Sequence, residues 1–213
     1  VSELSEISLE WSGVPEYDDF DEERFSSIVE SHDQIGALQL SLGNIEALAA
    51  LDIPVRERDL LDRLLFVNAI TALETYLSDV FIYSVGRDSN LLRKFVQTTP
   101  EFRKEKIPLS EVFAVVEAIE KKSRSHIMDV VWHHLERVRP MYNDTLGISF
   151  PKEMGELFKA VALRHDLVHR NGRSKEGKLH KITSAEVQAL VHRVREFCSY
   201  IEQKRPNRPE YEF

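Results

Sequence analysis

The segment from about Arg56 to Ser84 limits the possible folds most strongly, because its apolar residues recur every three or four positions along its whole length. These apolar residues are Leu60, Leu61, Leu64, Leu65, Phe66, Ile70, Leu73, Leu77, Val80 and Phe81. A helix with so wide an apolar face must be covered by other elements. The segment therefore predicts a long helix that faces a protein core.

The rest of the chain repeats this pattern and shows neither an internal repeat nor a period-two alternation long enough for a sheet. The further predicted helices cover residues 21–51, 91–96, 110–119, 123–140, 149–170 and 184–203. The predicted fold is all-α: an antiparallel helical bundle of four principal long helices with shorter inserted helices.

Charge divides the chain into three predicted parts. Residues 1–23 carry nine acidic and no basic side chains, although the net charge of all 213 residues is only −8. We interpret them as an acidic N-terminal arm, residues 24–205 as a single helical domain, and residues 206–213 as a loose tail. Residues 151–208 are basic, with 13 Lys or Arg against 7 Asp or Glu. Such a basic end suits a phosphate-bearing partner, although a merely solvated surface has the same composition.

The composition also limits the type of protein. The sequence lacks a signal-peptide pattern and an uninterrupted apolar run of about 18 residues, so we expect a soluble cytoplasmic protein with no membrane partner. The single cysteine, Cys198, excludes an intramolecular disulfide and a Cys-based zinc site. Its apolar neighbours indicate a buried side chain.

The helix predicted over 149–170 combines an apolar face with charged and imidazole side chains. On a helical projection one side carries Met154, Leu157, Phe158, Val161 and Val168. Arg164 lies about 60° to one side of Val161, and His165 and His169 lie about 40° and 80° to the other. An unpaired guanidinium at such a face has an energetic cost of several kcal/mol unless a carboxylate, water or ligand meets it. This conflict between pattern and residue type marks the candidate site.

Three explanations fit this helix. His165 and His169 stand four residues apart with an acid after the first, close to the pattern of zinc hydrolases, but Asp166 is shorter than the usual glutamate and no third ligand stands out. The second explanation is metal-free phosphodiester chemistry, in which a histidine moves protons and an arginine stabilises the charged phosphate. That chemistry requires a ribose 2′-hydroxyl, so its substrate is RNA. The third is a structural role in helix packing and capping.

Other polar side chains are secondary candidates. Glu74, at the edge of the apolar face of the 56–84 helix, is either solvated or the buried partner of Arg164. His133 and His134, as neighbours on a predicted helix, point to different faces and are expected to line a packing surface. His180, in a basic loop, is a weaker candidate for phosphate contact.

Residues 164–169 match the signature of an arginine, four residues and a histidine that is typical of HEPN domains. Together with Arg170-Asn171-Gly172 and the helix around residues 72–79, the chain resembles the HEPN subgroup that accompanies RNA-processing modules, the RiboL-PSP type. The resemblance covers about residues 56–203, and its sharp part is about ten residues long.

The resemblance implies a helical homodimer whose two signature helices face each other across a cleft. It also implies metal-independent RNA cleavage that leaves a cyclic phosphate and needs no cofactor, with Arg164 and His169 as catalytic residues and His165 assisting. Glu74 is a supporting candidate that orients Arg164.

The side chains after the signature are candidates for RNA contact, namely Arg170, Asn171 and Arg173. Arg164 and His169 are about 140° apart on an ideal helix, so a composite site across a dimer is easier to build than a site in one chain.

Two functions follow from these considerations. The first is a HEPN-type endoribonuclease, of the kind found among toxins and antiviral defence effectors. The alternative is a non-catalytic RNA-binding or dimerisation module of a defence or toxin-antitoxin system, with a regulatory protein partner. In either case the acidic residues 1–23 can cover the basic end by mimicking RNA.

Overall fold

The computed structural model of the chain describes residues 19–206. Its α-helices are α1 (Asp19–Glu30), α2 (Gln34–Ala49), α3 (Val55–Arg87), α4 (Ser89–Thr98), α5 (Pro100–Lys104), α6 (Val112–Met128), α7 (Leu135–Met141), α8 (Gly155–His169) and α9 (Ser184–Lys204). A 3-10 turn (Leu109–Glu111) precedes α6, and a π-helical turn (Tyr142–Leu146) follows α7. Within residues 19–206 the only β-type pairing is an isolated bridge between Arg173 and Leu179. The predicted all-α helical bundle is confirmed.

Helix α3 is the centre of the bundle. It packs against α1, α2, α4, α8 and α9, and its inward residues Leu73, Leu77 and Phe81 are almost completely buried. Phe81 contacts the rings of Phe95 on α4 and Tyr142 in the π-helical turn, with centroid distances of 5.6 Å in both pairs. Each such side chain contributes roughly 1.5–3 kcal/mol through burial, so the wide apolar face of this segment organises the fold.

The length and composition of α3 would also allow it to cross a membrane. Its most apolar 18-residue window has a mean hydropathy of 1.3, and 67% of that window is buried inside the bundle. In this structure the helix therefore packs as a core element.

The single helix predicted over residues 21–51 is wrong, because the structure divides it into α1 and α2. The break is stabilised by Asp33, whose carboxylate accepts a hydrogen bond from the Gly36 amide at 2.8 Å and caps α2. Gln34 adds a hydrogen bond from its side-chain amide to the Ser31 carbonyl at 2.6 Å. Apolar spacing continues through such a break, whereas the cap determines where the chain turns.

Residues 98–141 also differ from the prediction. Helix α5 begins where a loop was expected, and the helices predicted over 110–119 and 123–140 are replaced by the continuous α6, a turn and the short α7. Trp132 lies in that turn and packs against Phe81, with ring centroids 5.5 Å apart. A tertiary contact therefore ends α6 where the local pattern would continue it.

The later part of the chain is closer to the prediction. Helix α8 begins at Gly155 rather than near Ser149, because Ile148 and Phe150 enter the core from a non-helical segment. Helix α9 begins close to the predicted residue 184 with a capping box, in which Thr183 and Glu186 exchange two hydrogen bonds. Cys198 is buried on α9, as expected, and burial raises the pKa of its thiol well above the usual range.

Most of the proposed arm and tail lie outside the described residues, which exclude 1–18 and 207–213. Helix α1 begins at Asp19, close to the helix start expected near residue 21, so the last residues of the proposed arm are helical. There Glu22 forms an ion pair with Arg124 of α6. This contact joins the start of α1 to α6.

Candidate functional site

Helix α8 directs Arg164 toward α3. Leu157, Ala160, Arg164 and Leu167 follow one another at spacings of three or four residues, and this line is the inward face of the helix. The prediction that Val168 lies on the packing face is wrong, since its side chain is 45% exposed. The orientation of α8 about its axis therefore places Arg164 within the packing face. The sequence had allowed either the face or its rim.

Arg164 and Glu74 form an ion pair between α8 and α3. The distance from Arg164 Nη2 to Glu74 Oε1 is 3.7 Å, and the side chains are only 15% and 19% exposed. Glu74 Oε1 and Arg164 Nε are both buried, and neither has a hydrogen-bond partner among residues 19–206. The ion pair therefore leaves one hydrogen-bond donor and one hydrogen-bond acceptor without a partner, in a region with little water.

The turn between α6 and α7 adds two histidines to this pair. His133 Nδ1 lies 3.3 Å from Glu74 Oε2, so Glu74 contacts Arg164 and His133 with its two oxygens. The ring of His134 stands edge-on to that of His133, with centroids 4.8 Å apart. Sequence reasoning missed this role because it placed both residues on a helix, where neighbouring side chains diverge.

The two signature histidines lie on the outer side of α8. His165 and His169 are exposed, and their ring centroids are 4.8 Å apart, as expected for residues one helical turn apart. The pKa of His134 is lowered, first by burial and then by the charges of His133, Arg137 and His165. The charges of His134 and His165 therefore influence each other, whereas the ring contacts are within the pair of the turn and within the pair of α8. We call His133, His134, His165 and His169 the histidine cluster.

Helix α8 ends as the sequence predicted. Asn171 and Gly172 have positive φ angles of 51° and 76°, and the Gly172 amide donates to the Asp166 carbonyl at 3.1 Å. This is the C-terminal geometry that glycine favours. It fixes the position of His169, the last residue of the helix.

The candidate RNA-contact residues surround this helix end. Asp166 accepts contacts from Arg170 at 3.4 Å and from the ring of His180 at 3.0 Å, so both of these candidates are held by one carboxylate. Arg173 is exposed and donates to the Gly177 carbonyl at 3.0 Å, and Asn171 is exposed as well. Contacts with Asp166 and with the Gly177 carbonyl therefore orient Arg170 and Arg173, and both side chains lie at or near the protein surface beside the end of α8.

The arrangement combines a buried guanidinium with four imidazoles. Imidazoles exchange protons near neutral pH, and a guanidinium stabilises phosphate charge. In the described part of the chain, no group of three or more His, Cys, Asp or Glu side chains is placed to hold a metal ion. Imidazole and guanidinium side chains in this arrangement can carry out acid-base chemistry beside an anion.

Comparisons with known proteins give no family for the chain. No family model matches it, and neither a curated protein nor a solved structure matches it.

Proposed function

We propose that this protein is a metal-independent endoribonuclease of the HEPN type. The observation that carries the proposal is the position of Arg164, which is held by Glu74 beside the histidine cluster. The residues that match the HEPN signature are thereby joined to further groups suited to proton transfer. Neither cofactor nor metal is required for this chemistry.

The proposed reaction begins with attack of a ribose 2′-hydroxyl on the adjacent phosphate. His169 acts as an acid or base in the transfer of protons from the 2′-hydroxyl and to the departing 5′-oxygen, and His165 assists. As the new P–O bond forms and the bond to the 5′-oxygen breaks, Arg164 stabilises the charge on the pentavalent phosphate. The products are a 2′,3′-cyclic phosphate and a 5′-hydroxyl, and neither water nor an oxidant is consumed.

RNA binding is assigned to the surface at the end of α8. Asn171 and Arg173 are exposed there, and Arg170 lies beside them. Contacts from Arg and Asn to phosphate and ribose position a strand with little selectivity for base sequence. We propose the same surface as the one that a regulatory protein partner covers in a toxin or defence system.

The proposed enzyme is a homodimer. Arg164 points into α3 whereas His169 is exposed at the end of α8, as expected for residues about 140° apart on a helix. A second copy facing α8 supplies the missing group to each phosphate, so the complete site consists of residues from both chains.

A second candidate function is supported by the same orientation. Because Arg164 is only 15% exposed and is paired with Glu74, it also fits a role that holds α8 on α3. In that case the chain is a non-catalytic RNA-binding or dimerisation module. The two functions predict different effects of the same substitutions.

Arg164→Ala and His169→Ala distinguish them. The nuclease function predicts that each variant loses cleavage of single-stranded RNA, while the His169→Ala variant keeps its fold because His169 is an exposed side chain. His192→Ala is the matched control, since His192 is an exposed histidine on α9 that pairs with Glu196. Cleavage that persists in His169→Ala would exclude the proposed role of this residue, and wild-type protein that binds RNA without cutting it would favour the module.

A further inference from the structure

A cavity separate from the histidine cluster lies between α4, α5, α6, α7 and the π-helical turn. Its volume is about 420 Å³, within the size range of sites for small organic molecules. Its lining includes residues before and after the turn that carries His133 and His134, namely Val131 and Glu136. The cavity is therefore next to the proposed active site without containing its residues.

The inner wall of the cavity is apolar. Phe95 is 1% exposed, and Val130 and Met141 are partly buried against the same core. An aromatic ring and a flexible methionine offer contact area that adapts to an aliphatic or aromatic ligand body.

The outer wall is strongly acidic. Glu101, Asp129, Glu136 and Asp144 line it, whereas Arg137 is the only Lys or Arg among the lining residues. Within residues 19–206, none of the four carboxylates forms an ion pair within 4 Å. Asp144 accepts one hydrogen bond from the side chain of Asn143 at 2.8 Å. The potential at the cavity therefore favours a cation and disfavours an anion.

Thr145 provides an observation that is independent of these charges. It lines the cavity, is completely buried, and its hydroxyl oxygen has no hydrogen-bond partner in the described part of the chain. A buried hydroxyl without a partner is unfavourable, and a donor group on a bound molecule removes this cost.

We propose that this cavity is a binding site for a small organic cation, an amine with an apolar aliphatic or aromatic body. The apolar part packs on Phe95 and Met141, and the ammonium group lies among the carboxylates with Thr145 as a hydrogen-bond acceptor. The site goes beyond the proposed RNA cleavage, and its occupation is measured without RNA.

The test compares three probes of nearly equal shape on the full chain: 2-phenylethylamine, 2-phenylethanol and phenylacetate. Binding is followed by calorimetry and by the imidazole NMR signals. We expect saturable binding of the amine at about millimolar concentration, at least tenfold weaker binding of the alcohol and none of the acid. The signal of His126, which lines the cavity, shifts on binding, whereas that of the exposed His192 on α9 does not.

Two variants test the groups that recognise the cation. Thr145→Val keeps the shape of the side chain and removes the unpaired hydroxyl, so its Tm is equal to or higher than that of the wild type while amine affinity falls severalfold. Glu136→Gln lowers amine affinity severalfold and leaves the affinity for the alcohol unchanged. Failure of the amine to bind, equal binding of the amine and alcohol, or a shift of His192 in place of His126 would overturn the proposal.

Discussion

At the scale of single residues, the ion pair of Arg164 with Glu74 joins α8 to α3. Each side chain is mostly buried, and each compensates part of the other's desolvation. Glu74 also contacts His133, so its carboxylate determines where the guanidinium and the first imidazole of the cluster lie. Loss of the Glu74 charge therefore affects its contacts with both Arg164 and His133.

We predict that Glu74→Gln lowers the free energy of unfolding by roughly 1–3 kcal/mol, because the Arg164 charge then lacks its opposite charge in a region with little water. RNA cleavage falls as well, since Arg164 is no longer held in position. Urea unfolding and a cleavage assay measure the two effects. Glu196→Gln is the control: Glu196 pairs with His192 at the surface, and this change alters stability by less than about 0.5 kcal/mol. Equal stability of the two variants would contradict the structural importance of the pair.

The residues of the site were only partly predictable from the sequence. Arg164 was identifiable because a guanidinium interrupts an apolar helical face, and Glu74 because it stands at the edge of another such face. The roles of His133 and His134 were not identifiable from the sequence. They depend on a turn that is formed by the packing of Trp132 on Phe81. Local periodicity does not contain this information.

At the scale of secondary-structure elements, the end of α8 determines where His169 stands. The helix stops because Asn171 and Gly172 adopt the left-handed conformation, and glycine does so without steric cost. This stop was predictable from the Asn-Gly pair. The start of α8 was not, because the burial of Ile148 and Phe150 keeps the preceding residues out of the helix.

Gly172→Ala is expected to lower the free energy of unfolding by about 1–2 kcal/mol, since alanine is strained at a φ of 76°. In addition, the new Cβ would lie 3.2 Å from Arg63 Nη1. Gly155→Ala is the matched control at the other end of α8, where a Cβ meets no atom within 4 Å and alanine favours the helix. The control variant is expected to be as stable as the wild type or slightly more stable. Thermal or urea unfolding measures the stability of both variants. An equal loss of stability in the two variants would show that the conformation at Gly172 is unimportant.

At the scale of the whole molecule, the all-α bundle followed from the helical periodicity, above all from the segment that forms α3. The periodicity did not predict the break between α1 and α2 or the turn after α6, because a cap and a tertiary contact override the continuing apolar pattern there.

The partly buried Asp79 on α3 makes the stability of the bundle depend on pH. Burial raises the pKa of its carboxyl from 3.8 to about 6, and the charge of Arg24 opposes this change only in part.

A raised carboxyl pKa means that the folded state binds the proton more tightly than the unfolded state. Asp79 therefore favours folding below its unfolded pKa, and this contribution is lost as the pH rises from about 4 through about 6. Because the side chain is partly solvated, we expect Asp79→Asn to raise the free energy of unfolding by roughly 1 kcal/mol at pH 8 and by little at pH 4. Urea unfolding at both pH values measures this difference, and an equal effect at pH 4 and pH 8 would contradict it.

The most direct test of the central claim is the incubation of the purified protein with mixed total RNA in EDTA, beside the His169→Ala variant, followed by analysis of the product ends. The proposed nuclease cuts RNA in the presence of the chelator, leaves 2′,3′-cyclic phosphate and 5′-hydroxyl ends, and loses this activity when His169 is replaced. RNA that remains intact with the wild type, or cleavage that EDTA abolishes or that His169→Ala retains, would contradict the proposed metal-independent function of the Arg164 and His169 site.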